Sequence, residues 1–376
     1  MLALVPLTAS AGSGRAEAIA REPFFVGVVD DHSKWLAYPD GLIQRYRDLG
    51  MGAVRVSVPW KRGQSRPAKG QTLTLHRAAV MIARGQRVVL AVYGKPSEAP
   101  VTAEHRSQYC SFLRHVLRRV PFRDVVVWNE ANSPQFWPKT AGAPAYEALL
   151  SRCWRELHEL RPNVNVIGST AVNHDPARFI RRLGAAYRQR YRSRPLVDTF
   201  GHNPYPLNAA EPPWTRHANP KVVGQGDLGR LLRAISRAFS GTAQPLPGTG
   251  RTTVWYLENG FQTVVPPEKL QYYRGTETDP FALPPIAPVG GPWAPDQARQ
   301  LRSALLLARC QPAVGAFFNF LLLDEDRLAG WQSGLLYRDG TPKASYNTFR
   351  EAVRVVTSGE VNCATVPGAG GPLPSP

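Results

Sequence analysis

Short apolar runs rich in Val, Ile and aromatic residues alternate along this chain with longer segments whose apolar residues recur at helical spacing, and the cycle repeats eight times. The runs cover 24–30, 53–58, 87–93, 124–130, 163–169, 197–203, 253–258 and 315–322, and each reads as a buried strand. The helical segments cover 39–49, 75–84, 103–120, 143–160, 177–190, 227–239, 296–310 and 343–356. In the first of them Leu42, Ile43, Tyr46 and Leu49 fall on one face, and Gly50 offers a left-handed cap where the second strand must begin. Gly85 and Gly241 follow two others.

Uninterrupted alternation of strand and helix implies parallel strands joined by right-handed crossovers, and eight such units close a (β/α)8 TIM barrel of the α/β class. An open doubly wound sheet is the alternative. Against it, the first strand runs Gly27-Val-Val-Asp30 with no Gly-x-Gly-x-x-Gly turn behind it, so a dinucleotide site lacks its phosphate cradle. With 376 residues and 43% hydrophobic content, one catalytic domain is expected over 19–366. Pro/Gly-rich stretches at 241–250 and 278–295 read as surface connections, the second as a loop over the reactive face; 367–376 reads as a disordered tail.

Residues 1–18 resemble a signal segment without its basic start: an apolar run from Met1 is followed by Ala16-Glu-Ala18. Export is the expectation, and no apolar run is long enough to span a bilayer. In an oxidising compartment Cys110 with Cys153 and Cys310 with Cys363 would form disulfides, since each pair lies on neighbouring parts of the outer ring; four buried thiols are the alternative. No Cys-x-x-Cys or His-Cys cluster supports a zinc site, and neither a metal nor an organic cofactor is expected.

A formal charge of +18 invites a nucleic-acid reading, but the arginines are spread along helices, as at Arg181, Arg182, Arg188, Arg190, Arg192 and Arg194. Nucleic-acid modules concentrate charge with aromatics on one surface, so solvated outer faces are expected here and no nucleic-acid partner. Attraction to an acidic polysaccharide or an anionic cell surface is the better use of the charge.

Strand-end residues of a barrel converge on one face, where Asp30, Arg55, Trp60, Asn129, Glu130, His202, Tyr205 and Glu258 become candidates for a shared pocket. Glu130 and Glu258 each close an apolar run. A lone glutamate there is equally well a first-turn residue complementing a helix dipole. Two of them, each beside an asparagine (Asn129 and Asn259), meet the minimum need of glycosidic bond cleavage: one carboxylic acid to protonate the leaving oxygen and one carboxylate to attack carbon or activate water. Their separation decides between retention and inversion of configuration.

Trp128-Asn129-Glu130-Ala131-Asn132 resembles the Asn-Glu-Pro signature on the fourth strand of clan A glycoside hydrolases, the retaining barrel enzymes that include cellulases, mannanases and β-xylosidases. Glu258 falls where that clan carries its seventh-strand nucleophile, Arg55 matches its second-strand arginine, and His202-Asn-Pro-Tyr205 resembles its sixth-strand motif. The resemblance implies that Glu130 is the acid/base and Glu258 the nucleophile, with Asn129 on the sugar 2-hydroxyl and Arg55 and Tyr205 supporting Glu258. Arg55 as a buried ion pair, and Tyr205 and His202 as packing residues, are the alternatives.

The chain departs from the clan at Ala131, where a proline is usual, and at Phe317-Phe-Asn-Phe320, which lacks the clan's eighth-strand tryptophan and puts Asn319 in its neighbourhood. Stacking on the sugar would then fall to Trp60, Trp137, Trp293 or Trp331, of which Trp137 and Trp293 are expected at the rim; core packing is the alternative for each. The expected partner is a carbohydrate substrate. A catalytically silent barrel that binds cell-wall or matrix carbohydrate is the second reading, disfavoured because a pure binder has no need of both carboxylates.

Overall fold

The computed structural model describes residues 22–32, 39–275 and 297–369, so the leader-like segment, Trp293 and the end of the tail lie outside the described residues. Eight parallel strands pair in chain order and close on themselves: β1 (Phe25–Val29), β2 (Ala53–Pro59), β3 (Arg87–Tyr93), β4 (Asp124–Val127), β5 (Asn165–Ala171), β6 (Thr199–Asn203), β7 (Val254–Asn259) and β8 (Val314–Phe320), with β8 on β1. The helices are α1 (Asp40–Asp48), α2 (Lys69–Ala83), α3 (Ala103–Arg119), α4 (Gly142–Leu160), α5 (Pro176–Gln189), α6 (Leu228–Phe239), α7 (Gln297–Arg309) and α8 (Ser345–Ser358). The chain is a (β/α)8 barrel.

Alternation along the strands sorts the core into two layers. Val54, Val56, Val58, Val88, Leu90 and Val92 point out against the helices, while Ala53, Val89, Ala91, Val126, Ile167, Leu257 and Phe318 fill the barrel interior. Phe318 occupies a notch left by Gly27, where a Cβ would lie 2.5 Å from its ring. Phe318→Ala would open a void there, at a cost of about 3–5 kcal/mol.

Two disulfides pin the helical ring, Cys110–Cys153 between α3 and α4 and Cys310–Cys363 between the end of α7 and the C-terminal segment. Helix α2 begins at Lys69, earlier than its apolar stripe suggests, because the Gln71 side chain accepts a hydrogen bond from the Ala68 N–H at 2.6 Å and so starts the helix within a polar stretch. Strand β4 ends at Val127, short of the expected 130, for a reason that shapes the site.

Candidate active site

Trp128 and Glu130 adopt left-handed backbone conformations, with φ of 64° and 40°. Side chains larger than glycine's reach that region at a cost of about 1–3 kcal/mol each and persist there only when their surroundings enforce it. Strict alternation would send Trp128 into the barrel and Asn129 out of it. Instead the Trp128 indole turns outward, donates to the Phe136 carbonyl at 2.6 Å and packs against Trp60, Tyr109 and Trp137. Asn129 and Glu130 are thereby both free to face the barrel mouth.

The same exchange of direction occurs across the barrel by another route. Pairing of β7 with β8 slips between Tyr256 and Asn259, and this bulge brings Glu258 round to the mouth although the preceding Leu257 already lines the interior.

Arg55 connects the two elements from the floor of the pocket. Its guanidinium donates from Nη1 to Glu258 Oε1 and from Nη2 to Asn129 Oδ1, the latter at 3.0 Å. The Tyr205 hydroxyl donates to the other oxygen of Glu258 at 3.0 Å, and burial followed by the charge of Glu258 holds that phenol well above its ordinary pKa, so it remains a donor. Among the described residues Glu130 has no such cation in contact. Its Oε1 accepts from Asn203 Nδ2 at 2.8 Å, while Ser169 supports Asn129 through Oγ at 3.4 Å. Burial first, and the negative charge of Glu258 second, push the Glu130 carboxyl up to about 8; Asn203 and Arg55 pull the other way. One carboxylate clamped by a cation and a phenol faces one carboxyl that keeps its proton near neutrality. That division suits a site needing an acid and an anion together.

The structure thus brings together Arg55, Asn129, Glu130, Tyr205 and Glu258. Trp331 joins them from the loop after β8: it is buried, its ring lies 5.1 Å from that of Tyr205 and 5.6 Å from that of Phe320. Phe320, rather than Asn319, reaches the site, because Asn319 turns its amide to the Leu321 carbonyl at 2.7 Å.

Three expectations need correction. Trp137 is 2% exposed and does not stand at the rim, since its loop folds inward and its Nε1 donates to the Gly142 carbonyl. Trp60, 1% exposed, packs edge-on against Tyr109 and Trp128 and leaves no face for a sugar. His202 points out of the barrel: Nε2 donates to the Val223 carbonyl at 2.8 Å and Nδ1 accepts from the Thr170 hydroxyl at 3.0 Å. Burial lowers its pKa to about 4, so it is a neutral strut fastening the loop after β6. Asp30 is likewise engaged, by the Tyr46 hydroxyl at 2.7 Å and by His32.

Asn203, Ser169 and Phe320 are site residues that motif matching passed over. Strand alternation could have found Asn203, because the inward positions of β6 run 199, 201, 203 and exclude His202. Among the described residues no group of three or more His, Cys, Asp or Glu is disposed to hold a metal ion, and no helix is long and apolar enough to cross a membrane.

No protein-family model and no curated protein sequence matches the chain. Solved structures do. The chain superposes on GH5_18 from Streptomyces cattleya, solved with GlcNAc, with a TM-score of 0.59 at 17% identity over 95% of this chain and 83% of that one. A family 39 glycoside hydrolase from Bacteroides cellulosilyticus gives 0.57 at 16% identity over 90% of this chain, which spans only 64% of that protein's length. A β-glucosidase from Thermotoga maritima gives 0.55 at 12% identity, covering 90% of this chain and 99% of that one. At these identities the likeness is one of fold.

Proposed function

We propose that this chain is a retaining β-glycoside hydrolase of the clan A type, acting on an oligo- or polysaccharide by double displacement. The observation that carries the reading is the opposed treatment of two carboxyl groups in one pocket: Glu258 held by Arg55 and Tyr205, Glu130 raised to about 8 by burial and by Glu258. The glycoside hydrolases it superposes on add weight at the level of fold.

In the first step the Glu258 carboxylate forms a bond to the anomeric carbon while the bond to the glycosidic oxygen breaks and Glu130 gives that oxygen its proton. Asn129, oriented by Arg55 and Ser169, is available to the sugar 2-hydroxyl, and the Trp331 face to the ring. In the second step Glu130, now anionic, takes a proton from water as the water oxygen bonds to the anomeric carbon and Glu258 leaves. Each group ends as it began. Two disulfides fit secretion into an oxidising compartment.

The test is turnover of a panel of p-nitrophenyl β-glycosides and polysaccharides by the protein and by its Glu130→Ala and Glu258→Ala variants. Azide should rescue Glu130→Ala and yield a β-glycosyl azide, whereas with Glu258→Ala it should yield the α-anomer. Undiminished turnover by Glu258→Ala would refute the assignment.

A further inference from the structure

Beside the segment that carries Trp331 lies a buried ion pair that the proposed chemistry does not use. Lys343, just before α8, and Asp324, just after β8, meet at 2.7 Å with side chains 3% and 0% exposed. The ammonium commits each of its three protons: to Asp324 Oδ1, to the Gln332 carbonyl at 3.0 Å and to Thr263 Oγ1 at 2.8 Å. Asp324 is equally engaged. Its Oδ1 also accepts from the Gly334 N–H at 2.8 Å, and its Oδ2 accepts from the Tyr273 hydroxyl at 2.7 Å.

Those partners come from two different loops. Thr263 and Tyr273 belong to the segment after β7, and Gln332 and Gly334 to the segment after β8 that carries Trp331. The Thr263 N–H and hydroxyl both reach the Gln332 carbonyl, at 3.0 and 3.2 Å, and Gln262 accepts from the Gln332 N–H at 3.3 Å. Gly334 admits nothing larger, because a Cβ would stand 2.5 Å from the Asp324 nitrogen. Residues 332–334 are therefore gripped from both sides, one residue away from the Trp331 indole that lies on Tyr205, whose hydroxyl is on Glu258.

A charge pair withdrawn from water contributes little net stability, and an apolar pair of similar size often serves the fold as well. Burial pushes Asp324 up and Lys343 down, each opposed by the other's charge, so desolvation is being borne here for something other than stability. The gain is direction: three fixed donors and three fixed acceptor contacts define one position for the segment, as an oily contact would not.

We infer that the Lys343–Asp324 pair is the positioning device for the sugar-stacking face, locking the β7 and β8 loops together so that Trp331 stays against Tyr205 in register with Glu258. This rests on the glycosidase reading for its kinetic consequence but not for its structural one. Lys343→Met with Asp324→Leu removes both charges and leaves none unpaired. The double variant should keep its secondary structure and cooperative melting, yet raise KM on the aryl glycoside about tenfold or more while kcat falls less. In a Trp331→Ala background the same pair of changes should cost less than about threefold, because coupled sites are not additive.

A second measurement reads position without activity. In fluorotryptophan-labelled protein, the fluorine resonance assigned to Trp331 by its loss in Trp331→Phe should shift or broaden in the double variant. The milder Tyr273→Phe, which removes one acceptor contact of Asp324, should move the same resonance if the double variant does not fold. An unmoved resonance, wild-type KM, or a full-sized penalty in the Trp331→Ala background overturns the inference. Failure of the glycosidase reading is separable, because it is judged by turnover of Glu258→Ala alone.

Discussion

The amide nitrogen of Asn203 donates to Oε1 of Glu130 across 2.8 Å, and it is the side-chain hydrogen bond that opposes the upward pull of burial on that carboxyl. An amide N–H bonds the ionised form of a carboxyl more strongly than the neutral form. Asn203→Ala should therefore raise the Glu130 pKa further above about 8 and move the basic limb of kcat/KM to higher pH, with kcat reduced about tenfold through loss of orientation. A pH-rate profile with an unmoved or lowered basic limb contradicts this.

Protonation of Glu130 also links to stability. Its folded pKa of about 8 lies above the ordinary carboxyl value of 4.5, so the folded state holds the proton more tightly and the fold loses stability as pH rises from about 4.5 through about 8. Glu130→Gln carries no charge to bury. Its melting temperature should gain on that of the parent across this window and run parallel to it above; a constant offset from pH 4.5 to 9 counts against the burial account.

Arg55 works as a fork, with one nitrogen on Glu258 and another on Asn129. Arg55→Lys keeps the charge but cannot span both, so kcat/KM should fall on the order of a hundredfold even though the fold is kept. Arg55→Met should lose more than Arg55→Lys. Steady-state kinetics on both variants check the order.

The two disulfides differ in access. Cys110 and Cys153 are fully buried, whereas Cys363 is exposed. Mild reductant on the native protein should open Cys310–Cys363 first, and alkylation with mass spectrometry should find Cys110–Cys153 intact until the protein unfolds. Replacing Cys110 and Cys153 by Ala should cost about 2–4 kcal/mol of stability, read as a lower denaturation midpoint.

Much of the barrel is legible in the sequence because parallel strands covered on both faces leave unbroken apolar runs, and Gly50, Gly85 and Gly241 punctuate helix ends at φ of 70°, 82° and 71°. Arg55, Asn129, Glu130, Tyr205 and Glu258 follow from strand-end positions taken together with the likeness to the clan's motifs. The failures have physical causes. His202 enters through the likeness of His202-Asn-Pro-Tyr205 to the clan's sixth-strand motif, yet the parity of β6 turns it outward and brings Asn203 to Glu130 instead. Trp60 and Trp137 sit beside loops, but the loops fold their indoles against Trp128, and nothing in the residue types announces a left-handed tryptophan. Long-range pairs such as Lys343 with Asp324 depend on loop paths that no local pattern encodes.

The paired left-handed residues at the end of β4 set a rule for anyone transplanting this chemistry. Copying the asparagine and glutamate onto the fourth strand of another barrel would deliver only the letters: on a regular strand the two side chains diverge to opposite faces. The portable unit is the stretch from Val127 to Trp137 together with the Trp60 and Tyr109 rings that pack on the Trp128 indole, and a graft without those rings would spend its carboxyl on the wrong side of the wall.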